Sequence, residues 1–454
     1  MLAKIKKIIP TPLFQLYHKT LAVLANVLYD RPSEKMIVIG VTGTNGKSTT
    51  VSLIAKILEE AGYKVGATST AIFKIADKEW LNDKKMTMLG RFQLQKMLRE
   101  MVRAGCRYAV VETSSQGIDQ FRYLGIHYDV CVFTNLTPEH IEAHGGFDNY
   151  KKAKLKLFWH LENSDSKNLA GKNIARVIVA NGDDNYAADF LDFEVDEKIV
   201  YGLNSHDLEV PQTHLACRPA GCQMIIAENV VMKSAGTSFS VNSVSYDTKL
   251  FGRFNVYNCL AAIAVVSSQG IGLDICKTAL EKVTGVPGRM EFIDEGQNFR
   301  VLVDYAPEPD SVKQLYRTIN DYGLVGQSGR LIHVLGSCGG GRDAARRPVL
   351  GALAAENADI AVITNEDPYD DDPQLIIDQV AQGAIDNGKI LGQNLHKLSD
   401  RREAIKFALN LAKDGDLVLL TGKGCEQAIC VENGRKIPWD ERKIAREEIM
   451  KLRN

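Results

Sequence analysis

The run Gly40-Val41-Thr42-Gly43-Thr44-Asn45-Gly46-Lys47-Ser48-Thr49 constrains the chain more than any other feature. An unbroken apolar run precedes it, and apolar residues recur at helical spacing after it. Its glycines let the backbone curl so that successive N–H groups point at one anion, and the helix that follows adds the partial positive charge of its N-terminus. Gly43, Thr44, Asn45, Gly46, Lys47, Ser48 and Thr49 are therefore the expected nucleotide contacts, with Lys47 at the β/γ-phosphates and the Ser48 hydroxyl on Mg²⁺. Val41 stands where the strict G-x-x-x-x-G-K-[ST] pattern has its first glycine. The order of strand, glycine-rich loop, Lys-Ser and helix is nevertheless kept, and a nucleoside triphosphate is the ligand it predicts.

The rest of the chain extends that unit. Residues 36–41, 108–112, 128–134 and 177–180 read as buried strands, and 47–61, 91–104 and 149–160 as helices. Such alternation predicts a mostly parallel sheet covered on both faces. From about 205 to 250 the pattern turns to short strands with polar turns, an antiparallel edge or insertion. A second alternating set follows Val286-Pro287-Gly288, with strands at 299–305, 331–336, 360–364 and 417–421 and helices at 310–321, 343–356, 374–387, 400–413 and 440–452. The expected class is α/β. A short helical segment (1–35) would lead into a P-loop-type central domain (36–288) and a Rossmann-like C-terminal domain (289–454), hinged at Pro287-Gly288.

Several residues near the loop carry chemistry. The apolar run 108–112 ends in Glu112, which places a carboxylate at the sheet edge where open α/β sheets bind ligands. Glu112 is a candidate Mg²⁺ ligand, although a strand-end acid is as often structural; Thr113, Ser114, Ser115 and Arg122 follow it. The next strand leads through Thr134-Asn135 to His140 and His144, an i, i+4 pair without the H-E-x-x-H pattern or a third ligand, so zinc is not expected. His140 is placed instead as a metal or phosphate contact. In Tyr150…Phe158, Lys152 and Lys156 belong to a solvated face, whereas Lys154 falls between Tyr150, Leu157 and Phe158 on the apolar stripe. Desolvation lowers the pKa of such an amine, and a neutral amine reacts with CO₂ to give a carbamate, an anionic metal ligand.

With 55 basic and 56 acidic side chains the net charge is −1, so no overall pull toward nucleic acid is expected. The nine cysteines form no C-x-x-C pair, which argues against zinc ribbons and a disulfide framework. Residues 1–29 are too interrupted by Pro10, Pro12, Gln15, His18 and Lys19 to span a bilayer. A basic helix lying on a membrane surface fits this segment, but a polar-faced helix packed on the body is the preferred reading.

These motifs resemble those of the Mur ligases, most closely the MurE type. The matching segments are Thr42–Lys47, Glu112-Thr113-Ser114-Ser115, Thr134-Asn135-Leu136 with His140 and His144, and Tyr150…Lys154…Phe158. The series continues with Gly252-Arg253-Phe254-Asn255…Asn258, Pro287-Gly288-Arg289-Met290-Glu291, Val303-Asp304-Tyr305-Ala306, Arg342-Asp343…Arg347-Pro348 and Gly422-Lys423-Gly424…Glu426. The resemblance implies ATP-dependent addition of an amino acid, L-lysine or diaminopimelate, to UDP-N-acetylmuramoyl-L-alanyl-D-glutamate through an acyl phosphate, in cytoplasmic peptidoglycan synthesis. It implies that Lys47 stabilises the transferring phosphoryl group. Ser48 and Glu112 would bind one Mg²⁺, and His140 with carbamylated Lys154 a second. Asn258, Arg289 and Asp304 would hold the nucleotide. Thr87, Ser114, Arg122, Arg342, Asp367, Tyr369, Gly422 and Glu426 would contact the substrates. Small molecules are the expected partners, and a monomer the expected state.

The chain departs from that pattern in places. Only about 35 residues precede the loop, where the family carries a UDP-gripping domain, so an altered carrier on the acceptor is compatible with the sequence. Thr87-Met88-Leu89 replaces Thr-Thr-Pro, Pro307 and Cys425 replace histidines, and Thr364-Asn365-Glu366-Asp367-Pro368-Tyr369 replaces a segment that usually reads Asp-Asn-Pro-Arg in diaminopimelate-adding enzymes. An arginine there would hold a distal carboxylate in a bidentate pair; Tyr369 cannot. The acids from Glu366 to Asp372 point to L-lysine or another amine, or form a solvated helix-capping loop. Two rivals remain: a ligase similar to folylpolyglutamate synthetase, and a non-catalytic nucleotide switch on a degenerate ligase.

Overall fold

Mostly apolar strands of two to eleven residues and the helices between them build two sheets whose C-terminal edges line a common cleft. The structure, a computed structural model, describes residues 11–138, 141–204 and 222–453. The first sheet uses β1 (Ile37–Thr42), β2 (Val65–Thr68), β3 (Ile72–Ile75), β4 (Lys78–Leu81), β5 (Tyr108–Glu112) and β6 (Val130–Phe133). A small hairpin, β7 (Lys167–Leu169) and β8 (Lys172–Ile174), precedes β9 (Val177–Asn181), β10 (Glu197–Leu203), β11 (Gln223–Lys233), β12 (Gly236–Val241) and β13 (Val244–Thr248). Among the described residues the order is β13-β12-β11-β10-β9-β6-β1-β5-β2-β3-β4. The central pairings are parallel, whereas β12–β13 and β3–β4 form antiparallel edges.

Every residue of β1, β5 and β9 is buried, as a parallel sheet covered on both faces requires. Successive side chains point to opposite faces. Ile37, Ile39 and Val41 pack with the helices Lys47–Glu60 and Arg253–Ser268, and Val38 with Arg91–Arg103 and Phe147–Glu162. The phosphate loop therefore leaves the centre of the sheet, where it is most rigidly held.

The second sheet has the order β14-β15-β19-β16-β17-β18. Its strands are β14 (Glu291–Phe292), β15 (Arg300–Val303), β16 (Leu331–Leu335), β17 (Ile360–Thr364), β18 (Leu395–Leu398) and β19 (Leu417–Leu420), with a hairpin of β20 (Ala428–Cys430) and β21 (Lys436–Pro438) beyond. Only β14 runs antiparallel within the six-stranded sheet. Sequence reading missed β18, which alternates a histidine and a lysine between two leucines, and the β20–β21 hairpin. The helix expected from 343 starts at Arg346.

Two connections take a definite form. At 205–250 only 222–250 is described; there β11 pairs parallel with β10 before the antiparallel edge begins. The Pro287-Gly288 segment is a packed turn: Gly288 has φ +61°, and a Cβ there would lie 2.1 Å from the Cys425 amide nitrogen. A side chain at 288 would press on the Gly424–Cys425 backbone.

The N-terminal helix corrects the preferred reading more sharply. Thr11–Leu28 does pack on the body, through buried Ala22 and Ala25. Its outward face is apolar rather than polar, with Leu13, Leu16, Tyr17, Val23, Leu24, Val27 and Leu28 all more than half exposed. Among the described residues no helix is long and apolar enough to cross a membrane.

Candidate functional site: an inter-sheet cleft

The loop after β1 is held open from behind. The Thr44 amide donates to the Asn135 carbonyl (2.8 Å), the Asn45 amide to Asn135 Oδ1 (2.8 Å), and Thr134 Oγ1 to the Asn45 carbonyl (2.7 Å). Gly43 and Gly46 have φ of +150° and +81°. A Cβ at Gly43 would meet Thr134 Oγ1 at 1.9 Å, and one at Gly46 would meet Asn258 Oδ1 at 2.2 Å. The glycines thus satisfy both a backbone conformation and a close approach. Gly46 starts the Lys47–Glu60 helix without a side-chain cap, which leaves its N-terminus fit for an anion. Lys47 Nζ donates to the Thr44 carbonyl (2.6 Å), folded over the loop it would serve.

Ser48 begins a chain of oxygen ligands. Its hydroxyl donates to Glu112 Oε2 (2.8 Å) and accepts from the Arg289 guanidinium (3.3 Å). Thr70 completes the carboxylate's environment through its amide (2.7 Å to Oε2) and hydroxyl (3.1 Å to Oε1). Hydroxyl and carboxylate oxygens at the end of a phosphate loop are the donor set that suits Mg²⁺. Thr70 was not anticipated, although its place two residues beyond β2, at the sheet edge that holds Glu112, was a usable signal.

Lys154 lies where the stripe argument put it. Its side chain is 1% exposed, Nζ donates to the Gly43 carbonyl (2.7 Å), and the ammonium sits 4.4 Å from the centre of the Tyr150 ring. Tyr150 in turn hydrogen-bonds Thr44 through its hydroxyl (3.1 Å). His140 lies outside the described residues. His144, four residues on, bonds Asp119 (2.8 Å) and Ser115 (3.1 Å).

From the second sheet, Asp304 follows β15 and accepts from the amides of Met290 (2.7 Å) and Ala306 (2.8 Å). Burial pushes its carboxyl above its ordinary value, against the pull of Arg289 and those two amides. Arg289 stacks 4.2 Å from the centre of the Tyr305 ring. Asn258 is held behind the loop, accepting from Thr50 (3.3 Å) and donating to Asn255 (2.9 Å).

The far end of the cleft is a network of charges. Asp367 pairs with Lys423 (3.1 Å) and Lys85, and accepts from the Cys430 amide (2.7 Å). Glu426 pairs with the same two lysines (2.8 and 3.2 Å). Burial raises the Asp367 carboxyl, but Lys423 and Lys85 outweigh it and hold the group below its ordinary value. Burial works against the charge on Lys423, yet Glu426 and Asp367 hold its pKa well above the ordinary value. Beside them the Cys338 thiol donates to Glu366 (2.8 Å), and burial pushes that thiol up. Asp370, Asp371 and Asp372 behave as the solvated alternative requires: Asp370 accepts from the Asn433 amide, Asp371 pairs with Arg347, and Asp372 caps the helix Pro373–Asp386. The acid run therefore divides after Asp367. Tyr369 packs over Gly340 in a left-handed backbone conformation (φ +52°).

A single cleft of about 1030 Å³ is lined by all the expected site residues that the structure describes, including Thr87, Ser114, Arg122, Arg342 and Gly422. Thr87 accepts from the Thr70 hydroxyl (3.0 Å), and Ser114 Oγ accepts from the Gly117 amide (3.2 Å). Arg122 donates to the Met88 carbonyl and to Gln120 (2.6 Å). Sequence reasoning missed Lys85, which carries charge from the first half of the chain to Asp367. Nothing local marks it, because its partners lie more than 280 positions away.

Residues 41–266 match the Mur ligase middle domain, and residues 288–424 the Mur ligase glutamate ligase domain. Over 440 residues the chain is 36% identical to a UDP-N-acetylmuramyl-tripeptide synthetase of Roseiflexus sp. (strain RS-1), covering 95% of this chain and 82% of that protein. It is 35% identical over 446 residues to a UDP-N-acetylmuramoyl-L-alanyl-D-glutamate–2,6-diaminopimelate ligase of Bacillus cereus, covering 97% and 84%. A solved structure of a ligase of that same description superposes with a TM-score of 0.57 at 29% identity, covering 92% of this chain and 79% of the other.

Proposed function

The chain belongs to the Mur ligase family and is an ATP-dependent ligase of peptidoglycan-precursor synthesis, and from that premise we propose a MurE-type activity: addition of one amino acid to UDP-N-acetylmuramoyl-L-alanyl-D-glutamate. The observation that carries this reading is the chain Arg289–Ser48–Glu112, which joins the turn leading into the second sheet to the phosphate loop and strand end of the first. Mg·ATP supplies the phosphoryl group that activates the acceptor carboxylate as an acyl phosphate, and the cation offsets the charge that accumulates on that group.

The protein's own groups do the rest. Lys47 and the N-terminus of its helix face the transferring charge, Ser48 and Glu112 hold the cation, and Asn258, Arg289 and Asp304 frame the nucleotide. His140 and carbamylated Lys154 serve a second Mg²⁺. The carbamate forms when the neutral Lys154 amine adds to the carbon of CO₂ and releases a proton to solvent, which leaves an anionic oxygen pair in place of a cation. The burial of Lys154 disfavours its charged form and so supports that chemistry. Ser114 and Arg122 position the acceptor. Packing of the turn at Gly288 against Gly424 and Cys425 keeps the two halves together and limits water that would hydrolyse the acyl phosphate.

At the amine end, Thr87, Arg342, Asp367, Tyr369, Gly422 and Glu426 contact the incoming amino acid. Asp367 and Glu426 are acids already compensated by two lysines, and Tyr369 offers no cation to a distal carboxylate. L-lysine and diaminopimelate are therefore both candidate donors. The test is phosphate release with Mg·ATP and UDP-N-acetylmuramoyl-L-alanyl-D-glutamate, adding L-lysine, diaminopimelate or a mixed amino-acid pool in turn. Release that needs both acceptor and one amine establishes the reaction and names the donor. ATP binding without amine-dependent release removes it.

A further inference from the structure

Helices that only pack on a protein body put their large apolar residues inward, and Thr11–Leu28 does the reverse. Its inward stripe is small: Ala22 and Ala25 are buried, and a Cβ added at Gly125 would lie 3.0 Å from the Ala22 carbonyl oxygen. Arg91 NH2 meets His18 Nδ1 at 2.6 Å, and Lys19 lies 5.2 Å from the centre of the Phe121 ring. The helix is thus seated at a fixed rotation, with Leu13, Leu16, Tyr17, Val23, Leu24, Val27 and Leu28 facing solvent.

Charge decides what suits that face. Residues 1–29 contain Lys4, Lys6, Lys7 and Lys19 and no acidic residue, whereas the whole chain is nearly neutral. An apolar stripe with an aromatic residue, joined to a purely basic segment, is complementary to a lipid surface of negative charge rather than to a second neutral copy of the chain. Gln15, His18, Lys19 and Asn26 interrupt the apolar character of the helix, and no described helix qualifies as a membrane span. We propose that Thr11–Leu28 docks the enzyme on an anionic membrane, lying in the interface with its leucine and valine side chains among the lipid headgroups. The docked face is close to the acceptor end of the cleft: Arg91, which touches His18, also donates to the Gln120 carbonyl, and Gln120 accepts from Arg122.

The test is co-sedimentation of the full chain with large unilamellar vesicles of phosphatidylcholine and phosphatidylglycerol, against vesicles of phosphatidylcholine alone. Binding to the anionic vesicles is expected to exceed binding to neutral ones about tenfold and to weaken at high salt. The double variant Leu16→Glu, Leu24→Glu is expected to lose that binding about tenfold, while its thermal midpoint and its phosphate release with soluble substrates stay at the parent values. Failure of the parent chain to sediment with anionic vesicles overturns the proposal, as does equal sedimentation of parent and variant. Self-association in solution that the double variant abolishes, with no vesicle binding, assigns the face to a second copy instead. The phosphate-release assay needs no membrane, so a failed ligase reading and a failed docking proposal are told apart.

Discussion

At the proposed nucleotide end of the cleft, the loop groups that would face the phosphates come from seven consecutive residues, Gly43 to Thr49, fixed by the strand before them and the helix after them. At the amine end, Lys85, Asp367, Lys423 and Glu426 form one interlocked set from three distant segments. The first end is shaped by backbone conformation, so its side chains are free to be spent on chemistry. The second is shaped by pairing of buried charges, so side chains proposed to meet the substrate also hold the fold. Substitutions at the two ends should therefore differ in kind: catalytic loss with an intact fold at one, loss of stability together with loss of amine binding at the other.

Lys47→Ala gives the largest effect and tests the first half of that contrast. Removing a cation that faces the transferring phosphoryl group is expected to lower kcat/KM for amine-dependent phosphate release about a thousandfold, equivalent to ~4 kcal/mol of transition-state stabilisation. The thermal midpoint should hardly move, since Lys47 contributes one hydrogen bond to its own loop. A large fall in midpoint would mean that the loop is held together by its lysine rather than by Thr134 and Asn135.

Lys154→Arg is the next largest. Arginine keeps a positive charge near the Gly43 carbonyl but cannot form a carbamate, so activity is expected to fall about a hundredfold while folding is kept. In the parent enzyme, removal of CO₂ and bicarbonate should lower the rate and their return restore it, and ¹³C-bicarbonate should give a carbamate carbon resonance that the variant lacks. An unchanged rate in CO₂-free buffer, with no such resonance, assigns Lys154 to bracing the loop.

At the other end the expected balance reverses. Asp367→Ala leaves Lys423, whose side chain is 0% exposed, and Lys85 to share Glu426 alone. Breaking a buried pair by removing one partner costs about 3 kcal/mol, and denaturant unfolding should register a loss of that size. KM for the amine should rise at the same time, with KM for ATP unchanged. A variant as stable as the parent would show that the lysines are held by something other than the acid, and the contrast between the two ends would fail.

This difference also governs what could be read from the sequence. Gly43, Gly46, Ser48 and Glu112 were legible because the local order of strand, loop and helix places them without knowledge of distant partners. Lys154 was legible because helical spacing separates it from Lys152 and Lys156, and its burial follows from that spacing. Lys85 and the thiol of Cys338 were not, because their surroundings are supplied by chain returning from far away. The acid run shows the boundary. Five acids of similar character split into a buried pair, Glu366 and Asp367, that faces the cleft and three exposed residues, of which Asp372 caps a helix, and only tertiary packing decides where the split falls. Patterning also implied a polar outward face on the N-terminal helix, yet the helix turns Ala22, Ala25 and the Asn26 side chain toward the body, close to Gly125, and its large apolar residues face out.

The smallest effect expected concerns the interior behind the amine end, where the second sheet carries a neutral polar core. His333, on β16, is fully buried; its ring nitrogens meet the Tyr316 hydroxyl (2.6 Å) and Thr421 Oγ1 (2.8 Å). Burial, with Arg401 nearby, pushes its pKa down to about 3 from an ordinary value of 6.5. Between those two values the unfolded chain binds a proton that the folded chain refuses, so the free energy of unfolding falls as pH falls through this window, by at most ~1.4 kcal/mol per unit. Above the ordinary value the group is neutral in both states and contributes no slope. Urea unfolding from pH 7.5 to 5 should show this loss, and His333→Gln, which keeps polar atoms but does not titrate, should remove His333's share of it while lowering stability at neutral pH. An unchanged slope in that variant would place the acid-labile step at another group, and the paired charges of the amine end would no longer sit on a proton-sensitive support.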